Sequence, residues 1–81
     1  MKAYDTVRAA AADAGLSLSE LSRSLGRPSN YVANGAARGS TPQADTLAAM
    51  LAPCGYVLAA VPRDQVPAGA LVIDAPAPPR A

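Results

Sequence analysis

Histidine, tryptophan and phenylalanine are all missing from this 81-residue chain, and cysteine occurs once, as Cys54. A single cysteine forbids an intramolecular disulfide, and without histidine a zinc site has no ligand set to draw on. Cys54 reads instead as a small apolar filler kept reduced in a cytosol. Catalysis is equally short of material. There is no imidazole, Cys54 has no base partner, the carboxylates are scattered, and Ser17 and Ser19 near arginine make no Ser-Lys dyad. Gly35 and Gly39 lack the spacing and the preceding strand of a phosphate-cradling loop. We therefore expect no enzyme, no metal and no cofactor. No apolar run approaches the length that crosses a bilayer, and the first residues lack a signal-peptide pattern, so a cytoplasmic, nucleoid-associated protein is expected. Large apolar anchors are few: with three tyrosines as the aromatics, Tyr4, Tyr31, Tyr56 and the Leu and Val residues must carry the core of one small domain.

Charge of either sign is also scarce, seven basic against six acidic residues for a net +1. Its distribution is uneven. Through Ser40 the chain carries Lys2, Arg8, Arg23, Arg27 and Arg38 against Asp5, Asp13 and Glu20. Within that half, residues 16–42 organise the rest. Ser17 and Glu20, three apart, form a capping-box pattern that starts a helix near Leu18, and Leu18, Leu21 and Leu25 fall on one stripe. Gly26 supplies the left-handed residue that ends it. Ser22, small and on the inner side, lets a following helix cross closely. Arg27-Pro28 then breaks the chain, and a second helix is expected over 29–37, opened by Pro28 or Ser29. There Val32 and Ala36 face inward, while Ser29, Asn30, Ala33 and Asn34 share the opposite face. An asparagine amide donates and accepts at once, as an adenine edge in the major groove requires, and Ala33 suits a thymine methyl.

These residues resemble the Cro/phage-repressor type, or XRE-like, helix-turn-helix regulators. The matching positions are Leu16, Ser17, Glu20, Leu21, Leu25, Gly26, Val32 and Pro42, and the resemblance covers residues 4–61. Three features depart from the pattern: Leu18 stands where many members carry a glutamine, Pro28 replaces a usual Ser or Thr cap, and Gly35-Ala36-Ala37 replaces a bulkier, more polar run. The resemblance implies a lambda-repressor-like domain of four to five helices over 1–55, with Ser29, Asn30, Ala33 and Asn34 reading bases. It also implies phosphate contacts from Ser17, Ser19, Arg27, Arg38, Ser40 and Thr41, the last three on a loop along the sugar-phosphate backbone; Tyr31 either packs on the helix pair or reaches a phosphate. The implied partner is double-stranded DNA carrying an inverted repeat, bound by a homodimer whose recognition helices stand roughly 34 Å apart. The implied role is a transcriptional regulator, a repressor of prophage or mobile-element type. A HipB-like antitoxin that also binds a cognate toxin, and a protein-interaction module without DNA binding, are the competing readings.

Flanking this stretch, residues 3–14 read as a first helix with Tyr4, Val7, Ala11 and Ala14 inward and Gly15 as its stop. Arg8, off that stripe, is either a phosphate contact or a solvated surface residue. Another helix is expected over 42–52, with Thr41 as N-cap, Pro42 as first residue, Ala44, Leu47, Ala48 and Leu51 inward, and Pro53 and Gly55 as its stop. Residues 56–61 and 70–74 are β-favouring runs separated by Pro and Gly, and predict a C-terminal hairpin over 56–74. The fold class expected is thus mainly α with a C-terminal β-hairpin. Two strands alone are barely stable, so pairing with a second subunit through Tyr56, Val57, Leu58, Val61, Leu71 and Ile73 is expected to give an intermolecular sheet. A hairpin folded only on its own helices is the other arrangement. The proline-rich 75–81 reads as a disordered tail.

Overall fold

The computed structural model describes residues 1–75, and they form a mainly helical domain. Helix α1 spans Ala3–Ala14, as its periodicity predicts. Its first turn is closed by the Lys2 backbone N–H donating to the Asp5 carboxylate at 3.3 Å. At its end Gly15 turns left-handed, and Gly15 and Leu16 donate back to the carbonyls of Ala12 and Ala11. The buried face is Thr6, Val7, Ala10 and Ala11, so Ala14, expected inward, is exposed.

Helix α2 spans Leu18–Ser24 and opens on the expected capping box: Glu20 N–H donates to Ser17 Oγ at 3.0 Å, and Ser17 N–H to Glu20 Oε1 at 3.1 Å. Helix α3 spans Tyr31–Ala37, two residues shorter at its start than the sequence predicts. The reason is the turn before it. Tyr31 N–H donates to the Pro28 carbonyl at 3.0 Å, so Ser29 and Asn30 belong to that turn, and the first helical bond runs from Asn34 to Asn30. Helix α4 spans Ala44–Leu51 and continues into a 3₁₀ turn at Ala52–Cys54, closed by left-handed Gly55. Gln43, extended at φ −65° and ψ 155°, is its N-cap residue, so Thr41 and Pro42 precede the helix and Thr41 caps nothing. Ala44 is exposed, and Met50, which the apolar stripe had not included, is wholly buried.

The core is one cluster drawn from all four helices and the turn after α4: Val7, Ala10, Ala11, Leu21, Val32, Leu47, Met50, Leu51 and Cys54. The residue types explain its tightness. Alanines on α1 let α4 approach, and the branched residues of the other helices fill the space between them.

The expected hairpin does not form: no strand is present among the described residues. Residues 56–58 and 71–73 keep the in-out alternation that made these segments look like strands, with Tyr56, Leu58, Leu71 and Ile73 half-buried on the helical core and Val57 83% exposed, whereas residues 59–61 are all exposed. What they lack is each other. Between them lie a 3₁₀ turn at Arg63–Gln65 and a turn in which Ala70 donates to Pro67, and Pro62 and Pro67 contribute no N–H to a ladder. The second segment bonds to the N-terminus: Asp74 N–H donates to the Met1 carbonyl at 3.0 Å, and the Met1 ammonium donates to the Val72 carbonyl and to the Asp74 carboxylate. The two segments thus flank an apolar groove of about 480 Å³ floored by Leu51 and Thr6. Four of the six residues assigned to an intermolecular sheet, Tyr56, Leu58, Leu71 and Ile73, pack on their own helices, and Val57 and Val61 alone face mainly outward. The tail expected over 75–81 lies, from residue 76 onward, outside the described residues.

Candidate nucleic-acid interface

The site is built on how α3 is held. Gly26, at φ +72°, lets the chain leave α2 with Gly26 N–H donating to Arg23 O and Arg27 N–H to Ser22 O, the paired bonds of a Schellman close. Ser22, fully buried, then joins the two helices: its hydroxyl donates to the Leu18 carbonyl at 2.7 Å and accepts the Val32 N–H at 3.1 Å. That bond satisfies one of the orphan donors at the start of α3, a group costly to leave bare in an interior. The second anchor is Gly35. A methyl group there would sit 2.3 Å from Tyr4 Oη and 2.8 Å from Tyr4 Cζ, so the tip of the Tyr4 ring packs on the bare backbone of α3 in the space a methyl would fill. The third is Ser40, whose hydroxyl donates to the Gly35 carbonyl at 2.9 Å and ties the following loop to the end of the helix.

With Val32 and Gly35 buried, Ser29, Asn30 and Asn34 lie exposed, and Ala33 is half-buried at the edge of the same face. Among the described residues, no protein group hydrogen-bonds the side chains of Ser29, Asn30 or Asn34. Ala36, expected as an inward anchor, is half-buried, and Gly35 takes the inner position.

Around this face the residues assigned to phosphate divide by what already occupies them. Ser17 has its N–H bound to Glu20 and its oxygen bound as an acceptor, and its hydroxyl hydrogen is turned to the Glu20 carboxyl. The Glu20 carboxyl is held below its ordinary pKa, first by the Ser17 backbone hydrogen bond, then by the Ser17 hydroxyl, with Arg23 adding a smaller attraction. A negative charge therefore stands at the start of α2 at neutral pH. Ser19, Arg38 and Thr41 are exposed, and Ser40 keeps its acceptor lone pairs after donating to Gly35. Arg38 ends α3, where a cation also complements the helix C-terminus.

Arg27 and Tyr31 turn out to be a unit. The Arg27 guanidinium carbon lies 5.2 Å from the Tyr31 ring centroid, within cation–π range. Together with Leu25, Asp45, Thr46 and Ala49 they line a cleft of about 230 Å³ between the turn and α4. Sequence reasoning listed the two separately; their spacing of four was the available signal. It missed the Tyr4–Gly35 contact altogether, since nothing local links a first-turn tyrosine to a glycine thirty-one positions later. At the far side of the domain Tyr56 Oη donates to Asp13 at 3.2 Å, and the phenol is pushed above its usual pKa by burial and then by that carboxylate. No helix among the described residues is long and apolar enough to cross a membrane. No family model, curated protein or solved structure matches the chain.

Proposed function

We propose that this protein is a sequence-specific double-stranded DNA-binding regulator of the helix-turn-helix type, with α3 as the element that enters the major groove. The observation that carries the reading is the contrast between the two sides of α3 and the turn that opens it: Ser22, Val32 and the Gly35–Tyr4 contact hold one side, and the other presents Asn34 on the helix with Ser29 and Asn30 on the turn, their polar groups unspent. Bidentate amide contacts from Asn30 and Asn34 read adenines, and Ala33 meets a thymine methyl. Arg27, Arg38, Ser19 and Thr41 hold phosphates and fix the register. Two copies on an inverted repeat, with recognition helices roughly 34 Å apart, regulate the adjoining promoter.

Selection of bound duplexes from a randomised library tests the reading. The enriched sequence is expected to be an inverted repeat, and Asn34→Ala is expected to cost about 1–3 kcal/mol on it and little on unrelated DNA. Equal loss on both removes Asn34 from base reading. A wild-type protein with no salt-dependent duplex affinity ends the DNA reading and leaves a protein-interaction module.

A further inference from the structure

Resting on the DNA-binding reading, we propose that Tyr31 touches no nucleotide and is a positioning residue, whose ring holds the Arg27 guanidinium ready for one DNA phosphate. The contact is a cation–π one, with the guanidinium carbon 5.2 Å from the ring centroid. Tyr31 is half-buried against the core, so the ring is a fixed platform, whereas Arg27 is exposed. Asp45 lines the same cleft, yet no ion pair joins it to Arg27 among the described residues; its carboxylate accepts the Thr46 N–H at 2.9 Å instead. The guanidinium therefore keeps its N–H fork unspent while losing rotamer freedom to the ring contact. A guanidinium held over an aromatic face keeps N–H groups free on the side away from the ring, which suits bidentate capture of two phosphate oxygens. Because the ring restricts the side chain before the nucleic acid arrives, less of the entropy of immobilising it is charged to binding.

The roles separate by salt dependence. On a mixed-sequence 20-base-pair duplex, followed by fluorescence anisotropy across a salt series, Arg27→Ala is expected to reduce the slope of log affinity against log salt by about 0.9, the release belonging to one phosphate. Tyr31→Leu should leave that slope at the wild-type value while lowering affinity about 2- to 10-fold, the range expected for freeing one long side chain. Tyr31→Phe, which keeps the ring, should match wild type in both. The proposal is overturned by a Tyr31→Leu variant that binds as wild type does, or by an Arg27→Ala variant with an unchanged slope; either result leaves the DNA-binding reading standing if wild type binds. A wild-type protein that shows no salt-dependent binding overturns both. If Tyr31→Leu does not fold, the wild-type Arg27 resonances decide. Its Cδ protons should sit upfield under the ring and stay there when the duplex is added, while its Nε–H moves; loss of the ring shift on binding overturns the proposal.

Discussion

A hydrogen in place of a side chain at Gly35 leaves room on α3 for the tip of the Tyr4 ring. Alanine in mid-helix would ordinarily gain about 0.5–1 kcal/mol over glycine. Here its methyl group would fall 2.3 Å from Tyr4 Oη and 2.8 Å from Cζ, and overpacking of that kind costs about 1–3 kcal/mol. The steric term wins, so Gly35→Ala is expected to lower stability in urea denaturation. In a Tyr4→Leu background the obstacle is gone and the same substitution should become neutral or stabilising. A stabilising Gly35→Ala in the otherwise wild-type chain would show that the Tyr4 ring swings aside at little cost. Ser22 acts with comparable economy. Removing its hydroxyl leaves the Val32 N–H buried and unpaired, so Ser22→Ala should cost about 1–3 kcal/mol.

At the scale of elements, α2 is short, seven residues, and depends on its ends. The capping box at Ser17 and Glu20 opens it, and the Schellman close at Gly26 stops it. The opening is pH-sensitive. Since the Glu20 carboxyl is held below its ordinary value of 4.5 in the folded chain, its stabilising contribution is complete above that value and is lost as pH falls through the lower, folded-state value. Thermal midpoints of wild type and Glu20→Gln, followed from neutral pH to pH about 3, should therefore converge as acid is added. Parallel curves would mean that the carboxylate charge contributes nothing to the cap. Much of this element was legible in advance: the cap, the apolar stripe and the glycine stop are interactions between residues within about five positions of one another. The start of α3 was not, because the Pro28–Tyr31 turn bond competes with a helical start at Ser29, and the register is settled by docking Val32 onto Ser22.

For the whole molecule the question is what residues 56–75 do. Their two ends cover the helical core with Tyr56, Leu58, Leu71 and Ile73 half-buried, and residues 59–70 between them are exposed. Leu58 points down and Val57 points out, 83% exposed. Leu58→Lys is expected to destabilise the fold by about 1–2 kcal/mol through lost apolar burial, whereas Val57→Lys should stay within about 0.5 kcal/mol of wild type. Urea titration of the two variants checks this. Equal damage from both would show that the cover does not sit in this register. A small domain with so few large anchors gains from any such cover, because at this length the helices alone bury a limited share of their surface.

The sequence by itself determined the bounds of α1, the opening and closing of α2, the glycine ends at Gly15, Gly26 and Gly55, and the outward placement of Asn30 and Asn34. Each of these follows from helical periodicity or from hydrogen bonds spanning a few residues, and such terms do not wait on the rest of the chain. Tertiary structure alone decided the remainder: that Met50 completes the core, that Gly35 meets Tyr4, that Arg27 and Tyr31 meet, and that the β-favouring segments flank a groove, the second of them bonded to Met1, instead of pairing. An alternating apolar run states that one face must be covered, but it does not name what covers it. That choice is made between segments distant in sequence, by which surfaces the packed helices leave open and which backbone groups still need partners.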